Sequence, residues 1–293
     1  MKPKLTIGCA CYDDVEGIFW TFSILRQFHV PITNKEVELI CIDDMPQPQK
    51  DLNNLCNLFQ AKYKHVPKNK GPAHAKNSVF EHASGEYTLL LDSHVLCAPG
   101  SIDYLLQGIN NNLIGKDIWS GPLISENGGT IATELDPKWR GEFWGCWNTD
   151  RDMETKMVKE VIGMGSAFFC INTRQFLDIG GFPKEFRGFA GEEIILSELN
   201  RQAGGKHYCH SALKWQHRFL RTKPVSYVLT VNDKFKNYLI GFYKCGFDTV
   251  AVKNYFAKRL PPDQLAHNIR EIEALFPDLL TKNVGGKVFD ELD

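Results

Sequence analysis

The chain has 293 residues, 43% of them hydrophobic, enough to bury one large core or a core with an appendage. Its 34 Lys and Arg face 35 Asp and Glu, a formal net charge of −1, which excludes a global basic field for nucleic acid and leaves only local patches. Nine scattered cysteines, odd in number and without a Cys-x-x-Cys pair, read as reduced thiols of a cytoplasmic protein. No apolar run approaches the ~18 residues of a membrane span, and the opening Met-Lys-Pro-Lys carries no signal-peptide pattern.

Residues 4–12 read as a buried strand stopped by Asp13 and Asp14, with Cys9 and Cys11 as packing residues inside it. Residues 16–28 follow as a helix whose apolar face carries Ile18, Phe19, Phe22, Leu25 and Phe28. Residues 36–42 form a second strand stopped by Asp43 and Asp44, and 49–61 a second helix. A short strand near 64–66 precedes the Gly71-Pro72 turn, a helix over 73–83 and a strand over 86–91 that runs into Asp92. This alternation predicts an α/β fold with a mainly parallel central sheet flanked by helices. Further along, 119–150 is an aromatic flank with Trp139, Phe143, Trp144 and Trp147, a platform for a sugar or a piece of core. A strand over 161–171, a helix over 191–203 and mostly helical residues 225–282, broken at Pro261-Pro262, complete the pattern.

In such sheets ligands gather at the carboxyl ends of strands, and three strand ends here are polar: Tyr12-Asp13-Asp14, Asp43-Asp44 and Asp92-Ser93-His94. An Asp oxygen and a His nitrogen two residues apart suit a divalent ion such as Mn²⁺. His217 is a third ligand candidate, a conventional surface or core histidine if read alone. Glu192 and Glu193 follow the flexible Gly188–Gly191 segment at a helix start, where acidic residues are also favoured by the helix dipole.

Together these residues resemble the GT-A glycosyltransferases. The run Asn69–Asn77 (NKGPAHAKN) and the run Ala83–His94 (ASGEYTLLLDSH) look like their nucleotide-sugar half. Asp-Ser-His in place of Asp-x-Asp is similar to the polypeptide N-acetylgalactosaminyltransferases. Gly188–Glu193 (GFAGEE) resembles their Trp-Gly-Gly-Glu-Asn segment, and His217–Arg221 (HRFLR) their His-x-Phe-Arg segment. The resemblance implies Mn²⁺ or Mg²⁺ held by Asp92, His94 and His217, and a UDP-sugar donor contacted by Tyr12, Asp43, Lys76, Asp92, Arg218 and Arg221. It places Glu192 by the sugar and acceptor. Glu193 stands where those enzymes have Asn and inverting GT-A enzymes, including the family 2 type, have an acidic base. A Glu193 that reaches the acceptor implies inversion; one that turns away implies retention, as the Asp-Ser-His form does. The implied architecture is a catalytic domain over 1–224, with a nucleotide half over 1–98 and a sugar and acceptor half over 99–224. A helical extension over 225–293 packs on it.

The acceptor is a hydroxyl on DNA, protein or glycan. No membrane anchor, stem or lectin segment is visible, and the C-terminal half is basic at Lys234, Lys236, Lys244, Lys253, Lys258 and Arg259. Those features motivate a phage-type expectation, glycosylation of hydroxymethylated pyrimidines in DNA. Two rivals are a non-catalytic sugar-nucleotide or glycan-binding protein on the same scaffold and a dinucleotide-binding oxidoreductase. The second lacks a Gly-x-Gly-x-x-Gly after the first strand.

Overall fold

The computed structural model describes residues 2–29, 36–68, 70–154, 156–219 and 228–279. Its first half alternates strand and helix: β1 (Leu5–Cys11), α1 (Val15–Phe28), β2 (Val37–Asp43), α2 (Lys50–Leu58), β3 (Lys62–His65), α3 (Pro72–His82) and β4 (Tyr87–Asp92). There follow β5 (Val95–Cys97), α4 (Ser101–Asn110), β6 (Ile118–Ser120), β7 (Leu123–Ile124), β8 (Thr130–Ala132), β9 (Glu134–Arg140) and β10 (Phe143–Asn148). The remainder holds β11 (Val158–Glu160), β12 (Phe168–Asn172), α5 (Thr173–Asp178), α6 (Glu192–Gln202), β13 (His207–His210) and β14 (Trp215–His217). The last helices are α7 (Val231–Cys245), α8 (Thr249–Phe256) and α9 (Pro262–Glu273).

The central sheet has eight strands in the order β11-β13-β6-β12-β4-β1-β2-β3. Pairing is parallel from β4 through β3 and again between β13 and β6, while β12 runs antiparallel to both of its neighbours. Strands buried on both faces read as continuous apolar runs, and β1 and β2 do so apart from Thr6 and Glu38 near their starts. Leu39 and Cys41 face a core shared with Ile18, Phe22 and Leu25 of α1, whereas Ile40 and Ile42 face the opposite core with Val79 and Phe80 of α3. The layer is therefore helix, sheet, helix. Gly8 allows α3 to sit close on β1, since a Cβ there would come within 2.1 Å of Val79.

Several boundaries differ from the periodicity. The second helix ends at Leu58 rather than 61, because Gln60 adopts a left-handed φ of 53° and Ala61 donates its N–H back to the Cys56 carbonyl. The expected strand over 161–171 starts only at Phe168. The residues before it form a glycine-bearing loop that leads into the strand ends. Of residues 225–282, the described ones, 228–279, hold α7, α8 and α9. These share one apolar core with α6 and the β9–β10 hairpin, and Tyr238 donates its hydroxyl proton to the Trp144 carbonyl at 3.2 Å. All nine cysteines are free thiols, eight of them buried. Among the described residues no helix is long and apolar enough to cross a membrane.

Candidate active site

Register places the three polar strand ends side by side. Cys11 of β1 is level with Asp43 of β2, and Ala10 with Asp92 of β4. His217 arrives from far along the chain because β14 pairs antiparallel with β5, setting His217 opposite Val95 and beside His94. The Arg218 N–H donates to the His94 carbonyl at 3.0 Å and closes that pairing.

The result is a compact donor set. The Nε2 atoms of His94 and His217 are 3.0 Å apart, His217 Nε2 lies 3.7 Å from Asp92 Oδ2, and one ligand atom from each residue falls within 4.8 Å of the others. Ligand atoms about 2.1 Å from a common ion lie about 3 Å apart at neighbouring corners of its shell. The trio therefore fits a divalent cation. Its chemistry, two imidazoles and one carboxylate, suits Mn²⁺ and also accommodates Mg²⁺ through the carboxylate.

A second layer of contacts orients these ligands. Asp14 Oδ2 lies 2.7 Å from His94 Nδ1 and also accepts the Ser93 hydroxyl. An acceptor-only carboxylate accepts the hydrogen bond from the Nδ1 proton, which orients the ring with Nε2 facing His217 as its ligand atom. The same Asp14 caps α1 by accepting from the Gly17 N–H at 3.2 Å. On the other side, Lys76 Nζ is 2.9 Å from Asp92 Oδ1. Burial opposes the charge on Asp92, but the Lys76 ammonium and the two imidazoles hold its carboxyl far below the usual carboxylate range. Burial works against the Lys76 charge as well, and Asp92 with the two glutamates more than offsets it, so this lysine stays cationic. Its remaining contacts are the carbonyl and the hydroxyl of Ser166, at 3.2 and 2.8 Å, and Ser166 Oγ lies 3.1 Å from Glu193 Oε1.

A cavity of about 370 Å³ opens over this floor, lined among others by Tyr12, Asp14, Asp44, Lys76, Asp92 and His94. One wall is made where Gly71, at φ 110°, meets Gly188; a Cβ on Gly71 would lie 2.2 Å from the Gly188 carbonyl oxygen. Asp43 does not share the cavity. It is fully buried, and its oxygens accept from the Met45 and Gln49 N–H groups, the Gln49 amide and the Tyr63 hydroxyl, while Asp44 lines the space instead. Arg218 pairs with Glu16 at 2.8 Å. Glu192 is buried beneath the loop before α6 and accepts from the Ala190 N–H at 2.9 Å, next to a backbone φ of 132° at Ala190. Burial, and then the neighbouring Glu193, push the Glu192 carboxyl up to about 8. Arg221 lies outside the described residues.

The aromatic flank divides. Trp144 is buried, and Trp139 stacks on Tyr255 of α8 with centroids 4.1 Å apart, so both serve the core. Trp147 lies 5.9 Å from Phe219, which stands 4.3 Å from the His217 ring. The sequence reading names Asp14 only as part of a polar strand end and does not reach Ser166. An acidic strand end beside a histidine-bearing one is a signal for Asp14; Ser166 has none, because its glycine-bearing loop carries no pattern.

The solved structures similar to this chain share its fold. They include GalNAc-T7 with UDP, GalNAc and Mn²⁺, at 16% identity and TM-score 0.68, covering 95% of this chain and 55% of that one. Another is S. aureus TarS 1–349 with UDP-GlcNAc, at 15% identity and TM-score 0.63, covering 92% of this chain and 81% of that one. A third is the mannosyltransferase PcManGT from Pyrobaculum calidifontis with GDP-Man and Mn²⁺, at 10% identity and TM-score 0.50, covering 96% and 83%. This chain thus spans little more than half the length of the GalNAc-T7 chain. Among curated protein sequences none matches. Residues 21–175, over half the chain, match the family model described as glycosyl transferase family 2. The fold is GT-A, and the chain belongs to glycosyl transferase family 2.

Proposed function

We propose that this chain transfers a sugar from a UDP-sugar to an acceptor hydroxyl, with Mn²⁺ or Mg²⁺ held by Asp92, His94 and His217. The observation that carries the reading is the convergence of those three ligand atoms within 4.8 Å on the cavity floor. A divalent ion supplies Lewis-acid neutralisation of the diphosphate as it leaves. The UDP donor is supported by the UDP and UDP-GlcNAc named for GalNAc-T7 and TarS.

The chain's own residues divide the remaining work. Tyr12 lines the cavity at the end of β1 and suits the face of the base, with Asp44 beside it as an acceptor. Asp43 contributes by holding the 45–49 loop behind Asp44. Lys76 keeps Asp92 charged, and Arg218 is the nearby cation for diphosphate once released from Glu16. Glu193 is the base that takes the acceptor proton, which gives inversion. Glu192, protonated and turned into its own loop, shapes the segment in front of α6.

For the acceptor, the basic C-terminal helices lend DNA less support than their composition promised. Lys234, Lys236 and Lys244 each pair with a glutamate, at 2.5, 2.5 and 3.1 Å, and Arg259 packs on Tyr255. Hydroxymethylated DNA therefore enters as one arm beside protein and glycan acceptors. The test is a panel of UDP-hexoses and UDP-N-acetylhexosamines with Mn²⁺ against these three acceptor classes, with the product anomer read by NMR. We expect Mn²⁺-dependent UDP release that His94→Ala abolishes. Nucleotide-sugar binding without turnover of any donor would instead mark a non-catalytic binding protein.

A further inference from the structure

We propose that Ser166 is a positioning residue for the base Glu193, a role that rests on the transferase reading above. The count of available protons assigns it. An ammonium has three N–H donors and no acceptor. Lys76 Nζ has three oxygen partners within hydrogen-bond distance: Asp92 Oδ1 at 2.9 Å, the Ser166 carbonyl at 3.2 Å and Ser166 Oγ at 2.8 Å. Ser166 Oγ therefore accepts from lysine, and its single proton is left for Glu193 Oε1 at 3.1 Å. The direction of the relay is fixed: Lys76 to Ser166 to Glu193.

Burial and a neighbouring backbone hydrogen bond hold this serine in place. It is 3% exposed, and the adjacent Ala167 carbonyl accepts from the Asp92 N–H at 3.1 Å. The loop that carries Ser166 is thus pinned to the same aspartate that binds Lys76. Among the described residues, Ser166 supplies the side-chain hydrogen bond of Glu193. With Oε1 occupied as an acceptor, Oε2 is the oxygen left to take a proton from an incoming hydroxyl, and the rotation of the carboxylate is limited. Glu193 is thereby tied through Ser166 and Lys76 to Asp92 of the cavity floor. In the transfer itself the acceptor oxygen forms the bond to the anomeric carbon, the bond from that carbon to UDP breaks, and the acceptor proton passes to Glu193. Ser166 exchanges no proton in this step.

The experiment measures steady-state UDP-sugar hydrolysis, water serving as acceptor, in the full chain with Mn²⁺. General-base catalysis is worth about 10²–10⁴-fold. We expect Ser166→Ala to lower kcat about 10- to 100-fold with KM for the donor changed less than about twofold. Ser166→Thr, which keeps the hydroxyl, should restore kcat to within about threefold of wild type. Glu193→Gln should be at least as slow as Ser166→Ala, and the double variant no slower than Glu193→Gln alone. A rise in KM at constant kcat, or effects that multiply in the double variant, overturns the proposal. A threonine variant that folds, by its thermal transition, but fails to restore kcat overturns it as well. Absence of turnover in the wild type removes the transferase reading itself, whereas an active wild type with an unaffected Ser166→Ala removes only the role given to Ser166.

Discussion

Asp43 and Asp92 make a controlled comparison inside one molecule. Each closes a strand next to β1, and each carboxyl is held below the ordinary range against the cost of burial. The means differ. Asp43 is saturated by neutral donors of its own loop, two backbone N–H groups, an amide and a phenol. Asp92 faces a lysine and two imidazoles, and it opens on a cavity. A carboxylate whose lone pairs are filled by neutral donors is architecture. One balanced by cations and lone-pair ligands is poised for an ion.

Substitutions should separate these two ends. Asp92→Asn removes a ligand and leaves Lys76 buried without its counterion; donor turnover should fall at least about 10³-fold, the several kcal/mol that Lewis-acid stabilisation supplies. Next is Asp14→Asn. Asparagine caps α1 as well as aspartate does, so helix stability is kept while the carboxylate that orients His94 is lost. Mn²⁺ affinity by calorimetry should drop about 10- to 100-fold, the usual effect of removing such a partner. The smallest catalytic effect belongs to Asp43→Asn, which should leave Mn²⁺ affinity within about twofold and cost about 1–3 kcal/mol of stability in denaturant melts. Its pH dependence has a definite sign. Because the folded pKa lies below the unfolded value of about 3.9, the Asp43 contribution is fully present above that pH and fades as pH falls through the lower folded value. The stability gap between wild type and Asp43→Asn should therefore narrow in acid. A gap that widened, or a loss of Mn²⁺ binding in Asp43→Asn, would break the comparison.

How much of this was legible in the sequence follows from the same contrast. β1, β2 and β4 run apolar into closing aspartates after Thr6, Glu38 and Thr88, so the strands and their functional ends were visible. The choice between Asp43 and Asp44 was not, because successive side chains at a strand end turn to opposite sides and only the packing decides which meets the cavity. Asp14 reads as a turn residue whether or not it also orients an imidazole. Ser166 acquires meaning only through Lys76 and Glu193, which lie 90 and 27 residues away. Trp139 and Trp144 resembled a platform because their partners, Tyr255, Tyr238 and Phe242, come from helices whose docking face the local sequence does not disclose.

The most direct measurement is Mn²⁺ titration of the whole chain by electron paramagnetic resonance, with wild type beside His94→Ala and His217→Ala. One tightly bound Mn²⁺ per chain, lost in both variants although they remain folded, is the predicted result. Unchanged Mn²⁺ binding in either variant contradicts the three-residue ion site on which the proposed chemistry rests.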